Sequence, residues 1–437
     1  MSTVLRHRVY RRLLTAQVLA LTGTGLATVA LALLAHDLAG AGAGSVLGTA
    51  LAIKMVAYVA LAPFAGAVAA RLPRRAVLIG ADLVRAGVAL VLPFVGEVWQ
   101  VYVLVLVLQS ASAVFTPTFQ AVVVEVLPDE RDYTRALSLS RLAYDLESLL
   151  SPVLAAALLA VVGHDRLFTG TALGFLASAA LVDSAALPRG TAGRVRSTGA
   201  AEGIRLFVRV PALRALLALN LAVAAASAVV TVNSVVYVTG LMGRSVSDLP
   251  LALGAYGAGS MAVALALPRL LERVPDRTVM LGGAVALVVV FAGLGGVTAA
   301  RAGDWRWPAL LAVWAAFGAA CAAVLTPVGR LVRRAAPERE RAAAFAAQFS
   351  LSHACWLLTY PLAGWVGATA GLGTAVTALG LLTTVAALTA VRLWPVHGVH
   401  VHADLPPGHP HLRDARRVAA GWRHHHAPAA DGSHARV

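Results

Sequence analysis

Runs of apolar residues recur along the whole chain, each long enough to cross a hydrocarbon layer of ~30 Å as a helix, with short arginine-bearing segments between them. That pattern leaves few folds open. Hydrocarbon offers a backbone no hydrogen-bond partner, so a spanning chain must be helical or form a closed barrel. The runs are continuous rather than alternating, which selects helices. The predicted spans are 13–37, 45–70, 76–95, 98–121, 136–162, 167–187, 212–241, 248–270, 277–299, 306–329, 342–367 and 371–394. The expected fold class is an all-α membrane protein of twelve transmembrane helices. Only 13% of the residues are charged, against about 25% in soluble domains. The net charge of +15 does not point to nucleic acid, because the arginines lie in the loops, where orientation signals belong. Cys321 and Cys355 both fall inside predicted spans, so no disulfide framework is expected. The N-terminus shows no small-residue cleavage site after a short apolar core, so the first run is expected to be retained as a helix.

Arginines set the orientation. Arg6, Arg8, Arg11 and Arg12 precede the first span, Arg71, Arg74 and Arg75 follow the second, and Arg189, Arg194, Arg196, Arg205 and Arg209 follow the sixth. Arg273 and Arg277 follow the eighth, and Arg333, Arg334, Arg339 and Arg341 the tenth. The alternate loops are arginine-poor, so both termini are expected in the cytoplasm of a cell bounded by an inner membrane. An internal repeat runs through the chain. Thr116-Pro117 recurs as Thr326-Pro327, residues 128–131 resemble 337–340, and 70–77 resemble 272–279. The expected organisation is a six-helix half at 1–187, a cytoplasmic linker at 188–211, a second half at 212–394 and a disordered histidine-rich tail at 395–437. Parallel halves of this kind rock about a central site.

The segment GAVAARLPRR (66–75) resembles the loop signature of the major facilitator superfamily, departing from it at Ala70 and Pro73. Asp82 and Arg85 in ADLVRA, and the stretch from Phe115 to Pro152, look like the third drug:proton antiporter branch. Within that branch, YTRALSLSRLAYDLE (133–147) together with a histidine-rich C-terminus is similar to the nickel-resistance exporters. The resemblance implies the twelve-helix fold. It also implies a gating loop made of Arg71, Arg74, Arg75, Asp82 and Arg85.

Ionisable groups inside spans are costly and mark function by default. At ~100° per residue, Ser140, Arg141, Tyr144, Asp145, Glu147, Ser148 and Ser151 share one arc of the fifth span, with Leu139, Leu142, Ala143, Leu146, Leu149 and Leu150 opposite. Arg141 and Asp145 stand four residues apart and can pair. Glu147 lies about 160° around the helix from Asp145, so the two carboxylates need not share a ligand. Glu147 is either a proton or cation site or the partner of Lys54, the only lysine in the chain, which sits mid-span. Lys54 balances Asp145 or Glu147, or else its pairing is contested by protons or metal. The repeat offset places His353 at the position of Tyr144 (353 minus 144, or 209). His353 shares an arc with Phe349, Trp356 and Tyr360, so Tyr144, His353, Trp356 and Tyr360 are the expected cavity residues. His353 is a hydrogen-bonded core histidine or a metal ligand. Cys355 lies too far around the helix to join it. His36-Asp37 ends the first span as an exit site or an interfacial pair, and Gln17, Gln109, Asn220 and Gln348 are too generic to assign.

Nine of the thirteen histidines fall in the last 41 residues: His397, His400, His402, His409, His411, His424, His425, His426 and His434. Neutral imidazole is the commonest ligand for first-row transition metals, and a Pro- and Gly-punctuated tail suits adaptable capture. The alternative is a drifted tail without a role.

Together these features imply a monomeric exporter of Ni²⁺, and of Co²⁺ as a second cargo, in exchange for protons. Its partners are the cation, protons and the lipid bilayer, with no resident cofactor. No nucleotide-binding loop is present to suggest ATP drive, and no nucleophile–base set suggests an enzyme. The rivals are a drug, macrolide or siderophore exporter of the same branch, and a membrane metal sensor that transports nothing.

Overall fold

The computed structural model describes residues 2–39, 43–159, 165–187, 200–300, 302–394, 399–402, 416–418 and 421–425. In chain order its helices are α1 (Ser2–Arg6), α2 (Arg8–Ala39), α3 (Ala43–Arg71), α4 (Arg74–Val91), α5 (Val98–Val126), α6 (Glu130–Leu159), α7 (Asp165–Ser184) and α8 (Ala200–Arg209). They continue as α9 (Pro211–Val235), α10 (Leu249–Leu270), α11 (Asp276–Ala299), α12 (Arg306–Leu325), α13 (Val328–Ala335), α14 (Arg341–Pro361), α15 (Gly367–Ala370) and α16 (Leu372–Leu393). Single π-helical turns extend α9 over Val236–Leu241 and α14 over Leu362–Val366.

Among the described residues, nine helices are long and apolar enough to cross a membrane: α2, α4, α5, α7, α9, α10, α11, α12 and α16. The exceptions among the expected spans are α3, α6 and α14. They are the helices that carry Lys54, the Arg141–Glu147 face and His353.

A recurring pattern of helix pairs builds the body. α2 packs on α7 as α9 packs on α16, and α3 on α5 as α10 on α12. Likewise α4 meets α5 and α7 as α11 meets α12 and α16, and α2 meets α6 as α9 meets α14. Two reciprocal contacts, α3 with α14 and α6 with α10, join the first set of helices to the second. Apolar side chains such as Leu51, Val289 and Leu381 stay exposed on the outer faces, where lipid rather than water satisfies them.

Three departures from sequence expectation are physical. The repeated Thr-Pro dipeptides behave differently: Pro117 is carried inside α5, whereas Pro327 separates α12 from α13. The linker, expected as polar chain, contains the amphipathic α8, which buries Leu206 and Phe207 and packs on α14 and α3. The tail, expected without structure, contains β1 (Val399–His402), β2 (Arg416–Val418) and β3 (Gly421–His425), joined antiparallel in the order β1-β3-β2. Its alternating valines and histidines have the period of a strand.

Candidate functional site

The interior face of α6 divides its charges between two neighbours. Arg141 pairs with Asp145 one turn away, Nη2 to Oδ1 at 2.8 Å. Ser260 of α10 donates to Asp145 Oδ2 at 2.6 Å, and Arg141 Nε donates to Ser260 Oγ at 3.1 Å. Both carboxylate oxygens of Asp145 are therefore engaged, and the cluster fastens α6 to α10. Tyr256 and Cys321 flank the guanidinium.

Glu147 points elsewhere. The opposite charge that bears on it is Lys54 of α3, and the two groups interact through space without closing to an ion pair. Glu147 is half-buried and accepts no hydrogen bond among the described residues. The angular separation expected from the sequence is thus realised: one carboxylate is locked into the α6–α10 contact and the other is left open.

Around Lys54 the walls are aromatic. Its Nζ lies 5.7 Å from the ring centroid of Tyr58, the residue one turn along α3. Tyr58 donates to Gln109 Oε1 at 2.8 Å and packs against Phe349 and His353 of α14 at 4.9 and 4.7 Å. His353 Nδ1 donates to the Phe349 carbonyl at 2.7 Å, and its ring meets Trp356 edge-on at 4.8 Å. Tyr144, 39% exposed, lies within electrostatic reach of Tyr58 and Glu147. The repeat-mates Tyr144 and His353 therefore converge on the same tyrosine. Tyr360 is half-buried further along α14.

His353 is 9% exposed and holds the Phe349 carbonyl through Nδ1. Rings enclose it, and the charge that bears on it is the Lys54 ammonium rather than a carboxylate. Among the described residues no group of three His, Cys, Asp or Glu side chains is placed to hold a metal. Cys355 is buried and free, as is Cys321. In the tail, the backbone register sets His400 opposite His424 and Val399 opposite His425, with His402 opposite Trp422. His397, His409, His411, His426 and His434 lie outside the described residues.

The residues grouped as a gating loop separate into two sets. Arg74 pairs with Glu125 at the end of α5, and Arg75 with Asp183 at the end of α7, Nη2 to Oδ1 at 2.7 Å. Arg71 ends α3. Asp82 and Arg85 are not part of the loop. They sit inside α4, 0% and 5% exposed, paired with each other, and the guanidinium packs on Phe115 and Phe175 at 4.2 and 4.5 Å. Their i, i+3 spacing lets the helix bury them as a neutral pair, which loop placement would not require.

Sequence reasoning missed Tyr58 and Ser260 and left Gln109 without a role. Tyr58 was recoverable, because it stands one turn from the lone lysine. Ser260 carried no signal, since its role depends on which helix α6 meets. The unassigned amides found partners: Asn220 and Gln348 bond reciprocally at 3.1 and 3.2 Å, and Ser140 donates to Gln17 at 3.0 Å.

The fold is shared with solved transporters. The human organic anion transporter MFSD10 (TETRAN) superposes with a TM-score of 0.75 at 16% identity, over 88% of this chain and 99% of that one. A bacterial homologue of the iron transporter ferroportin, in an outward-facing state, gives 0.74 at 15% identity over 88% and 99%. The proton:xylose symporter XylE bound to 6-bromo-6-deoxy-D-glucose gives 0.72 at 14% identity over 90% and 96%. No curated protein matches the chain by sequence. The family model described as Major Facilitator Superfamily matches residues 13–305 and 242–429. With that match spanning most of its length, the chain belongs to the Major Facilitator Superfamily and is a multi-pass membrane transporter.

Proposed function

We propose that the protein is a proton-coupled secondary exporter of the inner membrane. In this reading it is a monomer with twelve spans in two six-helix halves and both termini in the cytoplasm. The recurrence of helix pairs between the two sets supports the halves, and the arginine distribution supports the orientation. The observation that carries the coupling is the contrast between the two carboxylates of α6. Asp145 has both oxygens occupied, whereas Glu147 faces the single lysine with its hydrogen-bonding capacity free. A proton reaching Glu147 from outside cancels its attraction for Lys54 and for any bound cation. Loss of that proton toward the cytoplasm restores both.

The cargo in this reading is a divalent transition metal, Ni²⁺ with Co²⁺ as a second ion. The nine tail imidazoles and the resemblance of residues 133–147 to nickel-resistance exporters support it. A second reading has its own observation. Tyr58, Phe349, His353 and Trp356 form a ring-lined wall beside Lys54 and Glu147, which suits a flat organic substrate of the drug class. The deciding experiment measures cellular nickel in a metal-sensitive host expressing the wild type, Glu147→Gln, or a chain truncated before His397. Nickel lowered by the wild type but not by Glu147→Gln supports metal export through the α6 site. Unchanged nickel in all three, with extrusion of a hydrophobic dye by the wild type, replaces the metal by an organic cargo.

A further inference from the structure

Away from the central site, a cavity of about 320 Å³ lies where the π turn of α9 meets the start of α12, lined by Met242, Arg244, Gly303, Asp304, Arg306 and Trp307. Arg306 is the feature that demands a ligand. It is the first residue of α12, only 9% exposed, and its Nε and Nη2 are buried without a hydrogen-bond partner. Among the described residues no carboxylate pairs with it. A buried guanidinium with nothing to bond is strongly unfavourable, so the site is incomplete as the protein chain alone builds it.

The surroundings supply the rest of an oxyanion cradle. Arg244 is held over the Trp307 ring at 4.4 Å, and its Nε bonds to Asp248 Oδ2 at 2.9 Å. Those two contacts fix the guanidinium and leave its terminal N–H groups uncommitted. The 20-residue α12 directs the positive end of its dipole at the same place, and no side chain caps it. Gly303, at φ 123°, makes the turn, and a Cβ there would collide with the Trp305 ring. Two guanidinium forks and a helix start fit the tetrahedral oxygens of a phosphate.

We propose that this cavity binds a phosphate group between Arg306 and Arg244, supplied by a phospholipid headgroup or by free inorganic phosphate. The place favours the lipid source. Both helix ends that form the cavity are ends of apolar spans, and Trp305 stands exposed beside it, as aromatic side chains do at the membrane–water boundary. Asp304, exposed at the rim and unpaired with either arginine, adds a partner for the ammonium of an ethanolamine headgroup.

The test titrates purified full-length protein in detergent and follows its melting temperature. The additives are phosphatidylethanolamine, phosphatidylglycerol, diacylglycerol and inorganic phosphate. The variants are the wild type, Arg306→Met and, because Arg306 is buried, the half-exposed Arg244→Gln. The expected result is stabilisation of the wild type by the phospholipids and not by diacylglycerol, with apparent affinity weakened roughly tenfold in either variant. A shift produced by inorganic phosphate alone, and lost in the same variants, assigns the site to the free anion. Equal stabilisation of wild type and both variants, or stabilisation by diacylglycerol to the same extent as by the phospholipids, overturns the proposal.

Discussion

Ser260 of α10 donates a 2.6 Å hydrogen bond to Asp145 of α6, and through it the two sets of helices share one buried ion pair. A serine is small enough to sit between a guanidinium and a carboxylate and serve both, accepting from one and donating to the other. Removing it leaves one oxygen of Asp145 without a partner in a buried place. Ser260→Ala is expected to lower stability by about 1–3 kcal/mol, read as a fall in melting temperature in detergent. Asp145→Ala is expected to lower it further, because Arg141 then keeps its charge without a partner. If Ser260→Ala melts with the wild type, the α6–α10 contact is held by packing alone.

Lys54 and Glu147 make the complementary case, since each is the other's main opposite charge. Lys54→Met and Glu147→Gln are each expected to destabilise the fold and to abolish proton-dependent transport. The double variant removes both charges together and is expected to recover most of the stability while staying inactive. The coupling in a double-mutant cycle is expected to be on the order of 1 kcal/mol. Strictly additive melting shifts show that the two groups do not sense each other.

Much of this arrangement could be read from the sequence, and the reasons for the gaps are specific. The helix ends follow from apolar length and arginine placement, and the divergence of Asp145 and Glu147 follows from the helical angle alone. The surroundings of His353 were not legible, because the identity of a histidine's neighbours depends on tertiary packing. Three of them, Tyr58, Phe349 and Trp356, are rings. The different fates of Pro117 and Pro327 were hidden for the same reason. The dipeptides are identical, but only the second is followed by a helix whose arginines are claimed by distant acids.

Those arginines link the starts of several helices. Arg330 of α13 reaches Glu130 at 3.1 Å, Asp276 at 3.3 Å and Thr134 at 2.7 Å, while Arg334 holds Asp276 at 2.8 Å. One side chain thus ties the start of α6 to the starts of α11 and α13. Arg330→Ala is expected to loosen this link, so that Thr134→Cys, buried in the parent, reacts with a maleimide severalfold faster in the variant background. The labelling is read in a chain whose buried Cys321 and Cys355 are replaced by alanine. An unchanged labelling rate means that other contacts keep Thr134 covered.

The packing beneath Ser260 rests on two glycines. A Cβ at Gly318 of α12 would overlap the Tyr256 carbonyl of α10, and one at Gly259 of α10 would overlap the Ala315 carbonyl of α12. The obstructing atoms are backbone, so no rotamer change relieves the clash, and the two helices must part. Small residues at such crossings let helices approach closely in membranes, where apolar burial alone offers little. Because Ser260 follows Gly259 directly, separation of α10 from α12 also shifts the hydroxyl that serves Asp145 and Arg141. Gly318→Ala is therefore expected to destabilise by about 1–3 kcal/mol and to reduce transport. Gly296→Ala on α11, with nothing within 4 Å of its Cβ position, is expected to be neutral or mildly stabilising through helix propensity. Equal melting temperatures for the two alanine variants would show that the α10–α12 crossing tolerates a wider separation than its backbone contacts imply.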